Sequence, residues 1–341
     1  MHKKPQLSIV IPVLDGGRSF AHCLEGLGKS TFSNWELIVV DDGSSDDSTA
    51  IAAAHGAKVL RTAGRQGPAA ARNLGATKAR AQTLVFLDAD CEVDSQTLEV
   101  LAKTLEERPD LAAVFGSYDD RPVAQGVVSQ FRNLLHHHVH QTSTPRVSTF
   151  WAGCGAIRRV IFEAVGGFDA IRYPRPAIED IELGYRVTAA GGRIEIQRDA
   201  LVRHHKNWGL RSMILADFRD RAAPWTRLLL ERGSGESRDS GKSDLNLAPA
   251  NKTSVVAVAC GVGAMLLAPF FPWMLLGVAS AGIVLATLQR RFYGFLARRK
   301  GIPFLLAAIP LHAIHLGCAG LAFAWVRLCY SPSSGRELTK P

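Results

Sequence analysis

The chain predicts an α/β fold, with a mostly parallel sheet in its first two thirds and transmembrane helices at its C-terminus. Three observations carry this. Short apolar runs alternate with helical stretches from Leu7 to Tyr118, the pattern of parallel strands joined by crossover helices. Two of those runs, Trp35–Val40 and Leu84–Leu87, end in paired carboxylates, Asp41-Asp42 and Asp88-Ala89-Asp90. The third is a stretch from Thr253 to Leu288 that carries no charged residue.

Leu7–Leu14 reads as the first strand, followed by a helix over 18–28. Trp35–Val40 is the second strand, Ser48–His55 a helix and Ala57–Arg61 a short third strand. An Ala/Arg-rich helix covers Pro68–Gln82, and Leu84–Leu87 is the fourth strand. Ser95–Glu107 reads as helix and Leu111–Tyr118 as strand, whereas 120–170 is less regular. Ser212–Leu230 is amphipathic and basic, with Met213, Phe218 and Trp225 against Arg211, Arg219, Arg221 and Arg227. It suits a membrane surface or an ordinary packing role.

A Gly/Ser-rich linker is expected over 231–252. As a single helix, Thr253–Leu288 would run to about 54 Å at about 1.5 Å per residue, well beyond a hydrocarbon core of about 30 Å. Pro269-Phe-Phe-Pro272 divides it, so two spans are expected, about 253–270 and 271–288. The basic loop Arg290–Lys300 marks the cytoplasmic side. Ile302–Val326 is a third span, or a re-entrant or interfacial segment, before a tail over 331–341. Residues 1–230 would form the catalytic domain, cytoplasmic and tied to a bacterial-type inner membrane.

The bulk numbers narrow the function. The 341 residues carry a formal net charge of +9, which suits nucleic acid or an anionic membrane. No basic run interleaved with aromatics occurs in the first 230 residues, so no nucleic-acid partner is expected. The six cysteines lack CxxC spacing, which argues against a structural zinc site or a disulfide scaffold. The basic start Met1-His-Lys-Lys-Pro-Gln precedes an apolar run without a small-residue cleavage site, so that run reads as strand and not signal peptide.

Two carboxylates one residue apart at the end of a buried strand are costly without a cation. The carboxyl ends of strands in open α/β sheets are also where ligands bind. A divalent metal carrying a diphosphate satisfies both conditions at Asp88 and Asp90. Asp41-Asp42-Gly-Ser-Ser either caps the next helix or accepts the N–H of a nucleotide base. Gly64–Asn73 is a glycine-flanked loop opening a helix, where small residues and a helix N-terminus admit an anion. Arg72 there pairs with a diphosphate or braces the Asp pair. Trp151-Ala-Gly-Cys-Gly and Gly166-Gly-Phe-Asp169 are tight turns against a ligand or in packing. Glu179-Asp180 opens a helix, where acidic residues are stabilising in themselves; Asp180 is also placed to act as a general base. A histidine from Val202-Arg-His204-His205 can complete an oxygen-rich site for Mn²⁺. His136-His137-His138-Val-His140 lacks a neighbouring carboxylate and reads as a solvated or acceptor-side face.

Taken in order, Leu7–Val13, Asp41-Asp42-Gly-Ser, Gly64–Asn73, Asp88-Ala-Asp90, Gly166-Gly-Phe-Asp and Glu179-Asp180 resemble the family 2 glycosyltransferases of the GT-A fold, over roughly residues 5–230. The resemblance implies an inverting transferase that binds a UDP- or GDP-sugar through Mn²⁺ or Mg²⁺. It implies that Pro12, Asp15 and Asp42 line the nucleoside pocket, with Arg72 near the donor phosphates. Asp88 would face ribose or donor sugar, Asp90 and His204 would hold the metal, and Trp151 and Gly153 would border sugar and acceptor. Asp180 would be the base, oriented by Glu179. Pro12-Val-Leu-Asp15 departs from the usual P-V-Y-N, which bears on base or donor preference. The Q-x-x-R-W signature of processive synthases is absent, so non-processive transfer is expected. The apolar tail points to a lipid-linked acceptor, a polyisoprenyl phosphate or a glycolipid. The competing functions are a membrane-tethered nucleotidyltransferase, which lacks its Lys-containing phosphate loop after Leu14, and a non-catalytic nucleotide-sugar-binding subunit.

Overall fold

The computed structural model describes residues 4–232, 245 and 248–329. The expected linker falls largely outside these residues, and the tail over 331–341 falls wholly outside them. The chain divides into two compact units: Met1–Gln125 with Val139–Asn207, and Gly126–His138 with Trp208–Pro341.

The first unit is built on a nine-stranded sheet. Its strands are β1 (Leu7–Val13), β2 (Trp35–Asp41), β3 (Lys58–Arg61), β4 (Thr83–Leu87), β5 (Cys91–Val93), β6 (Leu111–Tyr118), β7 (Arg146–Val147), β8 (Cys154–Arg158) and β9 (Arg193–His204). The spatial order is β3-β2-β1-β4-β8-β6-β9-β5, with β7 also on β9. The run β3-β2-β1-β4 is parallel, as the alternating pattern predicts. The sheet as a whole is mixed, because β8 lies antiparallel between β4 and β6 and β5 pairs antiparallel with β9.

The central strands are apolar on both faces because both are covered. Ile9, Ile11 and Val13 pack with Phe20, Leu24 and Leu27 of α1 (Gly17–Gly28). Val10 points the opposite way, as the period of two requires. It meets Gly75 of α3 (Gly67–Thr77), where an added Cβ would stand 2.4 Å from Val10 Cγ1. Between α1 and α3 lies α2 (Ser48–Ala54). The helix expected over Pro68–Gln82 ends at Thr77. Beyond it, the Arg80 and Ala81 N–H groups donate to Glu36 Oε1 (2.6 Å) and Ser8 Oγ (3.0 Å) instead of continuing a helix.

The remaining helices of the first unit are α4 (Thr97–Glu107), α6 (Arg159–Ala164) and α7 (Glu179–Ala189), with α5 (Val127–Thr142) between α4 and α6 in sequence. The stretch expected to be irregular therefore contains a 16-residue helix. Its four histidines and its Gln and Asn residues blur the apolar stripe that would have marked it.

The second unit is helical. Leu210–Leu215 (α8) runs into a π-helical segment, Ala216–Ala222, and then Ala223–Arg232 (α9). After these come α10 (Pro249–Leu267), α11 (Met274–Leu288), α12 (Arg290–Lys300) and α13 (Ile302–Cys329). The basic segment expected as a loop is the helix α12. It buries Phe292, Tyr293 and Leu296 and exposes its arginines, so a side of about one residue in three sufficed to fold it. Among the described helices, α10 and α13 are long and apolar enough to cross a membrane, while α11 is shorter. These two apolar helices are consistent with membrane association.

Polar contacts lock this unit internally. Asp217, in the π-helical segment, pairs with Arg132 and accepts from His315 Nδ1 at 2.9 Å. The Arg132 guanidinium also lies 4.6 Å from the Trp208 ring centroid. Burial alone would push the Asp217 carboxyl up; the hydrogen bond and charge of His315, and then Arg132, outweigh it and bring it to about 2.

Candidate active site

Every residue singled out by the sequence as a donor, metal or catalytic candidate lies in the first unit. Asp15 and Asp42 follow β1 and β2, and Asp88 follows β4, so three parallel strands deliver carboxylates to one edge of the sheet. Pro12, on β1 opposite Val40, is half-buried beside them.

Asp42 is buried and anchors the loop before α3. Its Oδ1 accepts from Gln66 N and Thr62 Oγ1, each at 2.8 Å, and its Oδ2 accepts from Gly67 N at 2.8 Å. Three of about four acceptor positions are thus used, leaving room for one more donor. Gly67 has φ +85°, and a Cβ on it would come within 2.3 Å of Pro174 O. Glycine is needed there both for the turn and for the close passage of the 170–178 loop. Asp15, at φ +50°, is exposed. The Ser45 backbone and hydroxyl, with Arg65 Nη2 at 3.2 Å, hold its carboxyl below the ordinary range.

The centre of the site is an arginine between two carboxylates. Arg72 is only 5% exposed, as is Glu179. Its Nη2 donates to Asp88 Oδ1 at 2.6 Å and its Nη1 to Glu179 Oε1 at 2.9 Å. The guanidinium carbon also stands 5.4 Å from the Phe168 ring centroid. Glu179 Oε2 accepts from Ala177 N at 2.8 Å, so both its oxygens are engaged. Asp180, next on α7, accepts from Ala152 N at 3.1 Å and from Ile181 N at 2.8 Å. Asp88 N donates to Gly153 O at 3.2 Å. Arg72, Asp88, Glu179, Asp180 and the 151–153 turn therefore form one hydrogen-bonded set. A Cβ on Gly153 would lie 2.5 Å from the Trp151 indole, so glycine lets that ring fold over its own backbone.

The candidate metal centre adjoins this set. β5 and β9 pair so that Cys91 stands opposite His204, and His205 N donates to Asp90 O at 2.8 Å. This brings His204 Nε2 to 3.5 Å from Asp90 Oδ2. Burial alone would raise the Asp90 carboxyl; the His204 hydrogen bond and charge, and then Lys206, outweigh it and hold it at about 2. It is a carboxylate at neutral pH. Asp88, Asp90 and Cys91 place candidate ligand atoms within 4.8 Å of one another. Burial, and then the charges of Asp90 and Asp88, push the Cys91 thiol well above the usual range, and hard cations prefer oxygen and imidazole ligands to sulfur. Two carboxylates and an imidazole remain, a donor set that fits Mn²⁺ or Mg²⁺.

Tyr118 joins the site with no local signal in the chain to mark it. Its ring stacks on His204 at 4.6 Å between centroids and meets Trp151 edge-on at 4.8 Å. Only the pairing of β6 with β9, which sets Tyr118 opposite Val202, brings it there. Thr62, which supports Asp42, is brought there by the pairing of β2 with β3, and Phe168, within the Gly166-Gly-Phe-Asp169 turn, reaches Arg72 only through the fold. The histidine cluster separates: His140 lies 5.2 Å from Trp151 in the first unit, while His137 and His138 stack on Phe295 in the second.

With this geometry in place, comparison with known proteins defines the class. Residues 8–166 match the family described as Glycosyl transferase family 2. The fold is similar to that of a mannosyltransferase from Pyrobaculum calidifontis, solved in complex with GDP-Man and Mn²⁺. That likeness has a TM-score of 0.59 at 16% identity and covers 95% of this chain and 88% of that one.

Over residues 8–166, a little under half of its length, the chain is thus similar to glycosyl transferase family 2, and its fold is GT-A-like. Among curated relatives, glycosyltransferase GlyG of Streptococcus pneumoniae is 32% identical over 117 residues, 33% of this chain and 38% of that protein. Human polypeptide N-acetylgalactosaminyltransferase 3 is 31% identical over 198 residues, 50% of this chain and 31% of that protein. The chain thus spans about a third of the length of the curated relatives it matches.

Proposed function

We propose that the protein is an inverting, non-processive glycosyltransferase that moves a sugar from a UDP- or GDP-sugar to a lipid-linked acceptor, a polyisoprenyl phosphate or a glycolipid. The observation that carries this is the Arg72 bridge. One buried cation ties Asp88, on the donor side, to Glu179, the neighbour of the base Asp180. Donor carboxylates and base are thereby held in one rigid frame, the preorganisation that a displacement reaction requires.

Pro12, Asp15 and Asp42 form the nucleoside end of the pocket, with one acceptor position of Asp42 open to the base. Asp88 faces ribose or donor sugar, while Trp151 and Gly153 border sugar and acceptor. Asp90 and His204 would hold Mn²⁺ or Mg²⁺, which when bound supplies positive charge to the departing diphosphate. Asp180 takes the proton of an acceptor hydroxyl as its oxygen attacks the anomeric carbon. The new C–O bond forms as the bond to the diphosphate breaks, and the configuration inverts. Toward a phosphate acceptor, already ionised, Asp180 orients the nucleophile instead. Arg72 holds Asp88 and Glu179 in place near the donor phosphates, and each of its Nη atoms keeps a second N–H with which to meet them.

The exposed apolar helices support a membrane-bound enzyme, and Arg290–Lys300 supports a cytoplasmic catalytic domain. The test is a panel of nucleotide-diphosphate sugars incubated with the purified protein, Mn²⁺ and total membrane lipid extract, with products identified by mass. Sugar on an organic-soluble lipid is expected. Products confined to the water phase would overturn the lipid acceptor.

A further inference from the structure

We propose that α10 and α11 form a hairpin that enters the bilayer from one face and ends inside its hydrocarbon. Pro269–Trp273 would be the buried tip, and Lys252, Arg290 and Arg291 would lie at headgroup level on the side of entry. The inference rests on the membrane-bound function proposed above and adds the mode of insertion.

The two helices are antiparallel partners along their whole length. At the base, Gln289 Nε2 donates to Asn251 Oδ1 (3.1 Å) and Ser254 Oγ (3.0 Å). Further up, a Cβ on Gly261 would stand 3.1 Å from that of Ala281, and one on Gly277 would stand 3.2 Å from that of Ala264. Small residues allow this close approach where no water drives association. Most polar groups are gathered at the base, and Ser280, midway along α11, donates its hydroxyl to Leu276 O at 2.8 Å.

Toward the tip the surface becomes wholly apolar. Val262, Leu266, Phe270, Trp273, Leu276 and Ile283 are all exposed, Phe270 at 77%. No charged residue lies between Lys252 and Arg290. An exposed apolar surface of this extent, rimmed by cations at one end only, fits hydrocarbon with anionic headgroups at the base.

Length sets the depth. The 15 residues of α11, and the 15 of α10 beyond Lys252, residues 253–267, each reach about 22 Å at about 1.5 Å per residue, short of a core of about 30 Å; α10 has the length of a span only when its first turn, residues 249–252, is counted. The turn itself, Pro269-Phe-Phe-Pro-Trp273, has no charged side chain to place in water on the far side. A hairpin that dips and returns meets both constraints, and its two ends emerge on one face.

The test uses the full chain in vesicles of phosphatidylcholine and phosphatidylglycerol. Cys260 and Cys329, the exposed cysteines among those described, are replaced by serine. Nitroxide labels are placed through Phe270→Cys, Leu266→Cys or Lys300→Cys. Labels at 270 and 266 are expected to relax with oxygen and to lose relaxation by a water-soluble nickel chelate on either side of the membrane. The label at 300 should respond to the chelate. Relaxation of the 270 label by chelate sealed inside or added outside would overturn the buried tip. Failure of the protein to float with the vesicles would overturn the membrane-bound reading itself, and the hairpin with it.

Discussion

In the proposed mechanism Asp180 and Arg72 have different tasks, and substitutions separate them. Asp180→Asn keeps the hydrogen bond to Ala152 N within reach but removes the base. Transfer to a hydroxyl acceptor should fall by about 10²–10⁴ in kcat, with donor affinity, measured by calorimetry, little changed. Near-normal turnover would remove Asp180 from the role. Arg72→Met leaves the buried Glu179 carboxylate without its partner, a loss of about 3–5 kcal/mol. Thermal unfolding should show this, and adding Glu179→Gln should restore part of it; no rescue would mean that the bridge does not set stability. The sequence marked Asp88, Asp90 and Asp180 because charge at strand and helix ends is conspicuous. It left the partner of Arg72 open, because Asp88 and Glu179 stand 91 positions apart in the chain and meet only through the fold.

At the scale of elements, loops and helix joints carry the sharpest tests. Gly67→Ala forces a positive φ and a contact with Pro174 O, and should cost about 1–3 kcal/mol. Because Gly67 N also holds Asp42, donor binding should weaken as well; unchanged melting and binding would contradict the close passage of the 170–178 loop. In the helical unit, Asp217 has a carboxyl depressed to about 2. Its contribution is complete above about pH 4, where the unfolded carboxyl is ionised, and is lost as the pH falls toward 2. Asp217→Asn should cost about 3–5 kcal/mol at pH 7 and narrow the gap to wild type in acid. A gap that stays constant from pH 7 to pH 3 in detergent would contradict the ion pair. The strands β1, β2, β4 and β6 were legible because buried parallel strands are continuous apolar runs with polar ends. The helix α5 was not, since its histidines meet aromatic rings supplied by distant segments. The helix α12 was hidden by its own charge, which resembles a loop until the buried Phe292, Tyr293 and Leu296 are seen on one side.

For the whole molecule, a fold with a carboxylate-rich sheet edge is joined to an apolar helical unit. In the proposed function the sheet edge would hold a nucleotide-sugar and a divalent cation, and the apolar unit would anchor the enzyme where a lipid-linked acceptor is found. The order of motifs along the chain was enough to indicate the fold, because the first of them, at Asp41-Asp42, Gly64–Asn73 and Asp88-Ala-Asp90, each follow a parallel strand. The antiparallel strand β8 and the β5–β9 pairing, which set Trp151 and His204 beside the carboxylates, depend on contacts that no local pattern encodes. The central claim is metal-dependent sugar transfer to lipid at Asp90 and Asp180. It is tested by incubating the full chain with a radiolabelled nucleotide-diphosphate sugar, membrane lipid extract and Mn²⁺, and extracting the lipid. Label should enter the lipid with the wild-type chain, and should be lost on chelation, with Asp90→Asn and, for a hydroxyl acceptor, with Asp180→Asn. Undiminished labelling after chelation and in both variants would contradict it.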